Sequence, residues 1–231
     1  CIYGQDDKFG LAFCDVSTGA FFVTVCADAP AAASELGRFA PSEVIRFGQN
    51  VTDQILNDAL FHRLSCCVNE GDKDIPSLEE CQNHLQNHFG QTLSQLGLTG
   101  LNEATIAAGV LLKTLQFVQK NDLMHIRQLQ YYTTGRFMEL DLDARRNLEL
   151  TETIRDKSRK GSLLWVLDHT QTAMGGRRLR KWLEQPLIHK AAIDSRLACV
   201  ECFADDPMIS AELKETLGEI YDMERLMGRI S

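Results

Sequence analysis

The stretch from Gly161 to Leu187, GSLLWVLDHTQTAMGGRRLRKWLEQPL, constrains this chain more than any other. Ser162 can N-cap the run SLLWVLDH, Thr172 opens AMGGRRLRKWLEQ, and Pro186 stops it. The pattern predicts a helical hairpin. On its second helix Met174, Leu179, Trp182 and Leu183 share one side, while Arg177, Arg178, Arg180 and Lys181 lie largely around the others. The basic run reads in two ways. It can meet nucleic-acid phosphate, or it can be a solvated face whose long stems shield apolar surface.

Helical signals fill the rest of the second half. Asp141 or Asp143 can cap a helix through ARRNLELTETIRDK, with Leu148 and Ile154 facing inward. A helix from about Lys190 to Ala204 carries Ile193, Leu197, Val200 and Phe203 at helical spacing, and Asp206 with Pro207 supplies the next N-cap and first-turn proline. Ile209, Leu213, Leu217 and Ile220 continue the pattern around a stop near Gly218, and Asp222 opens a last run with Met223, Leu226 and Ile230. The chain starts at Cys1 and ends at Ser231 inside this helical pattern, so it reads as a segment of a longer protein. Apolar stripes left uncovered there are expected to repack or self-associate.

The first half has another rhythm. Phe9 to Val16 and Ala20 to Val25 are strand-like, and Ser17, Thr18 and Gly19 supply the turn between them. A helix through Ala29 to Phe39, a strand at Glu43 to Phe47, a weak helix near Asp53 to Leu60 and a strand at His62 to Val68 follow. Glu70 to Ser77 reads as an exposed loop, before helices over Leu78 to Phe89 and Asn102 to Lys120. The long one has a stripe of Ala104, Ala108, Leu111, Leu115 and Val118, and Gly109 lets a neighbour come close. Alternating strands and helices predict a mixed sheet with flanking helices. Asn121 to Gly135 lacks a clean stripe and carries the chain between domains, dividing it into an α/β domain over 1–122 and an all-α segment over 123–231.

The totals narrow the function classes. With 231 residues and 44% apolar content, one or two packed domains are expected, and no apolar run is long enough to span a membrane. A net charge of −8 argues against wrapping nucleic acid by bulk attraction. Residues 1–120 hold 7 basic and 14 acidic side chains, while 121–231 hold 17 and 18, so a phosphate-facing surface fits the second half and a protein partner the first. Most of the eight cysteines sit in apolar runs and are expected to be reduced and buried. Cys199 and Cys202 form a CxxC without the second ligand pair that zinc needs. His84 and His88, four apart on one helix, flank the core stripe of Leu78, Cys81, Leu85 and Phe89 and read as boundary residues.

Four stretches also resemble one family, in its order: FGLAFCDVSTGAFFVT from Phe9, MELDLDARRNLEL from Met138, LDHTQTAMGGRRLRKWLEQPL from Leu167, and YDMERLMGRIS at the end. They resemble the MutS family, bacterial ATPases that recognise DNA mismatches. The resemblance implies a ribonuclease H-like connector domain with flanking helices, then the first part of a helical core. It implies a cytoplasmic, nucleoid-associated parent that dimerises around mismatched double-stranded DNA, uses ATP and Mg, and recruits MutL partly through the connector. The phosphate-cradling GxxxxGK[ST] loop does not occur in this string, nor does the family's clamp region have a counterpart. No catalytic, cofactor or metal residues are therefore expected here.

Two other classes remain open at this point. A ribonuclease H-type nuclease with a helical appendage would need carboxylates converging on metal ions, with Asp15 at the end of the first strand and Glu43 and Asp53 as candidates. A module that binds a protein partner unrelated to DNA is the third reading.

Overall fold

The computed structural model describes residues 1–71, 76–120, 123–135, 137–138 and 140–226, together with the backbone of 227–230. Two compact units follow one another, the first built on Cys1–Thr134 and the second on Gly135–Leu226.

Among the described residues the first unit is organised on six strands: β1 (Ile2–Gln5), β2 (Lys8–Asp15), β3 (Ala20–Cys26), β4 (Glu43–Gly48), β5 (Cys67–Glu70) and β6 (Leu129–Tyr131). Their order is β5-β4-β1-β2-β3-β6. β1, β2 and β3 run antiparallel as a meander, while β4 lies parallel to β1, β5 to β4 and β6 to β3. This is the expected mixed, ribonuclease H-like sheet. Central β2 is covered on both faces, which is why it is apolar without strict alternation. Phe13 stacks on Phe39 of α1 (Ala29–Phe39) at 3.9 Å between centroids, and Ala12 joins the core under α4 (Asn102–Gln119).

Glycines set how close the helices come. A Cβ on Gly10 would fall 2.0 Å from the Glu103 carbonyl oxygen at the start of α4. One on Gly109 would fall 2.6 Å from Cβ of Cys81 on α3 (Leu78–Phe89), the close approach expected of that glycine. α3 itself starts with a reciprocal capping box between Ser77 and Glu80.

Several expectations need correction. Ile2–Gln5 is a strand that the sequence pattern did not reveal, so Asp15 ends the second strand, not the first. His62 to Leu64 are not extended: α2 (Gln54–Asn57) runs into a π-helical turn over Asp58–Arg63, closed by Leu64 N–H donating to Ala59 O at 2.9 Å. Strand β5 starts only at Cys67 and runs past Val68 to Glu70, with Cys66 buried and Cys67 exposed. The loop expected at Glu70 to Ser77 lies partly outside the described residues. The first compact unit runs to Thr134, within the Asn121–Gly135 stretch read as the connection, and Leu129–Tyr131 pairs at the sheet edge beside β3.

The second unit holds α5 (Leu142–Asn147), α6 (Leu163–Leu167), α7 (Ala173–Glu184), α8 (Lys190–Asp205) and α9 (Pro207–Gly218), then the start of α10 (Met223–Ile230). Asp141 caps α5, accepting from Ala144 N–H at 2.6 Å, but this helix stops far short of its expected length. Glu149 adopts φ of 45° and its side chain accepts from Ile154 N–H, so the chain turns there. Leu148 and Ile154, expected to face inward, are 58% and 45% exposed. Leu150 and Leu164 are buried instead, joined by a backbone hydrogen bond of 2.9 Å from Leu164 N–H to Leu150 O. On α8 and α9 the expected stripes exist, but Leu197, Val200, Phe203 and Ile209 are exposed.

Candidate functional site

The hairpin is built as its capping residues require. Ser162, fully buried, accepts from Trp165 N–H at 3.2 Å to start α6 and donates to Arg159 O at 2.7 Å. Thr172 accepts from Gly175 N–H at 2.9 Å to start α7. Between the helices Asp168 accepts from the Thr170 hydroxyl at 2.7 Å and from Thr170 N–H, and pairs with Arg159. Those bonds, led by the Thr170 hydroxyl, hold its carboxyl below the usual range.

The four basic residues on α7 have different surroundings. Arg177 makes a bidentate pair with Asp222 at 2.8 and 2.7 Å and also donates to Glu224 at 2.6 Å. Arg180 pairs with Glu184 one turn on, at 2.9 Å. The Arg178 guanidinium lies 5.7 Å from the Trp182 ring centre, and Arg196 from α8 covers the same ring at 4.0 Å. Lys181 is half-buried. Much of the run's charge is thus matched within the unit. Asp222, Glu224 and Arg196 are the members that sequence reading missed, since no periodicity links positions that far apart along the chain.

Hydrogen bonds from Arg177 hold the Asp222 carboxyl down at about 2, and the same interactions raise Arg177. A depressed carboxylate favours the folded pairing above its ordinary value of 3.8, and that contribution disappears as pH falls through about 2. An NMR titration of Asp222 is therefore expected to show a midpoint near 2. A midpoint at 3.8 would mean that the pair is open in solution.

The nuclease candidates are engaged in local structure. Asp15 accepts from Ser17 N–H at 2.9 Å and Ser17 Oγ at 2.7 Å, shaping the β2–β3 turn. Burial opposes its ionisation, but the bonds from Ser17 and Thr18 prevail and its carboxyl lies below the usual range. Glu43 accepts from Asn69 at 2.6 Å, and Asp53 caps α2 through Ile55 N–H at 2.8 Å. The strand directions put Asp15 and Glu43 at one end of the sheet and Asp53 beyond the other. Among the described residues no three His, Cys, Asp or Glu side chains gather as metal ligands would.

His88 lies between Ile126 O, at 3.0 Å from Nε2, and Gln116, at 3.3 Å from Nδ1. Burial, then the neighbouring His88 and Lys113, lowers His84 below the ordinary imidazole value. Burial likewise pushes the Cys14 thiol up to about 12 and Cys81 to about 11, which suits inert packing. Burial does not extend to Cys67, Cys199 and Cys202, which are exposed, correcting the expectation for the CxxC pair.

A ribonuclease H-like mixed sheet followed by an all-helical segment defines the class as an α/β domain joined to an α-helical one. Comparison with known families narrows it. Residues 1–127 match MutS domain II and residues 143–231 match MutS domain III. The chain is 39% identical over 232 residues to the DNA mismatch repair protein MutS of Ruminiclostridium cellulolyticum, covering 99% of this chain and 26% of that protein. It is 40% identical over 235 residues to the MutS proteins of Clostridium novyi and Alkaliphilus metalliredigens, covering 100% of this chain and 25% and 27% of theirs. The chain belongs to the MutS family of DNA mismatch repair proteins and carries its domains II and III. It spans about a quarter of the length of these relatives. Among the described residues no helix is long and apolar enough to cross a membrane.

Proposed function

We propose that this chain is the connector and first core portion of a mismatch-recognition ATPase, catalysing nothing itself. It relays conformational change and offers a docking surface for MutL. The observation that carries this reading is the consecutive match to domains II and III, in the order of a sheet domain followed by a capped helical hairpin. Binding of ATP with Mg, dimerisation around mispaired DNA and a cytoplasmic location belong, on this reading, to the complete protein. The acidic first half suits a protein partner, and rigid packed units suit a relay. Phosphate binding by Arg177, Arg178, Arg180 and Lys181 is part of the proposal; exposed Arg178 is its best carrier, because Arg177 and Arg180 already face carboxylates.

The test has three arms. The purified chain is expected to show no ATP turnover, to bind mispaired and matched duplexes equally, and to cross-link to purified MutL. ATP turnover would remove the non-catalytic assignment, and failure to cross-link would remove the docking role. In the complete protein, Arg178→Ala should flatten the slope of log affinity against log salt by about 1, since one phosphate is no longer neutralised. An unchanged slope would leave the run a solvated face.

A further inference from the structure

The last strand of the first unit is fastened in an unusual way. Among the described residues β6 pairs with β3 alone, in a three-residue parallel pairing from Phe21↔Leu129 to Val23↔Tyr131. Short parallel edge pairs are weak on their own. Leu129 is buried and Tyr131 packs against the core, while Gln130 is exposed. The next residue, Tyr132, donates its N–H to Val23 O at 3.0 Å, and its carbonyl accepts from the buried Thr24 hydroxyl at 2.8 Å.

Its side chain reaches a polar pair on another element. The Tyr132 hydroxyl donates to Glu35 Oε2 at 2.7 Å, and Arg38 donates to the same oxygen at 2.8 Å. Glu35 and Arg38 are one turn apart on α1, with side chains 12% and 8% exposed. The Arg38 guanidinium sits 4.4 Å from the Tyr132 ring centre and 4.9 Å from that of Phe39. Burial, then the Glu35 carboxylate, holds the phenol above its ordinary value, so it stays a donor.

Opening this fastening uncovers Leu129, Tyr131 and the Tyr132 ring, but it leaves no charge without its counter-ion. Removing one member of a buried ion pair orphans a charge, but Glu35 and Arg38 are paired with each other on the same helix, and that pair does not include Tyr132. The chain before the strand has its own anchor, since Ile126 is buried and its carbonyl faces His88.

We infer that residues 129–132 form a strap that closes and opens as a unit, locked by Tyr132 onto the Glu35–Arg38 pair. Closed, it holds the chain to the first unit as far as Tyr132 and shortens the free connection that follows. Open, it releases residues 127–132 and adds roughly 20 Å of extended reach to that connection. The lock sets how tightly movement of one unit is passed to the other, without a ligand bound at either. It needs only that the two units be joined here, so it stands apart from the function proposed above.

Hydrogen exchange of the whole chain, read on peptides covering 127–134 and on those covering β2, tests this. In the wild type the strap is expected to exchange faster than β2 yet slower than an open coil. Tyr132→Phe, which removes only the hydroxyl, should speed strap exchange ~5- to 10-fold, the loss of one net hydrogen bond, and leave β2 unchanged. Thr24→Val, which removes a different fastening, should act in the same direction. If neither variant changes strap exchange, or if strap and β2 accelerate together, the strap is an ordinary part of the sheet and the inference fails.

Discussion

Replacing Gly10 by alanine is expected to destabilise the first unit by about 3 kcal/mol, lowering its melting temperature by roughly 10 °C. The position is in the middle of β2, where α4 crosses the sheet. The new Cβ would lie 2.0 Å from the Glu103 oxygen, 2.2 Å from its carbonyl carbon and 2.7 Å from Ala104 N. All three atoms are backbone of the first turn of α4, so no rotamer change relieves the clash. Either the helix lifts from the sheet or the strand bends, and both uncover Ala104, Ala107 and Ala108. Gly176→Ala is the control: its Cβ would meet nothing nearer than 3.4 Å, and stability should change by under about 1 kcal/mol. Far-UV circular dichroism melts read the loss, while Trp165 and Trp182, the only tryptophans, report on the second unit. A Gly10→Ala variant that melts like the wild type would mean that α4 does not rest on β2 as described.

Arg46→Ala should cost a similar amount, about 3 kcal/mol, for an electrostatic reason. Arg46 stands on β4 with its side chain 9% exposed, yet it serves three neighbours. Its guanidinium donates to Glu70 Oε1 at 2.8 and 2.5 Å, to Asn57 Oδ1 at 2.6 Å and to Val51 O at 3.4 Å, and it faces the Phe61 ring at 5.5 Å. It thereby joins the edge strand β5 to the end of α2 and the π-helical turn. Truncation leaves Val51 O and Asn57 without this donor and opens a void beneath Phe61. The Glu70 side chain is 64% exposed, so water can replace its share of the bond. Arg46→Met, which keeps the stem, should recover part of the loss by refilling the void. Denaturant melts of the three proteins measure this, and a loss under about 1 kcal/mol in the alanine variant would show the hub to be incidental.

The basic run is where sequence and structure differ most. The spacing on α7 sets apolar positions beside basic ones, but none of the helix is buried and Arg177 is clamped by Asp222 and Glu224, 45 and 47 residues further on. Those carboxylates sit beside Arg225 in a sequence that reads as an ordinary helix start. Similarly, Asp15 has the sequence appearance of a catalytic carboxylate and the structural role of a turn residue, because Ser17 occupies its oxygen. A carboxylate's partners decide its chemistry, and partners are a tertiary property.

Local rules were enough for much of the chain. Ser162, Thr172, Asp141 and Asp206 cap the helices they were expected to cap, and α1 and α3 begin and end where the apolar spacing placed them. Capping and helical spacing act within about four residues, so the amino-acid order alone carries them. The strands at Ile2–Gln5 and Leu129–Tyr131, the early stop of α5 and the fastening of Tyr132 were not legible in this way. A short strand is stable only beside its partner, and Tyr132 finds Glu35 at a separation of 97 residues and Thr24 at 108. Such pairings become favourable only after the chain has closed on itself, which is why tertiary structure alone decided where the first unit ends and which carboxylates Arg177 meets.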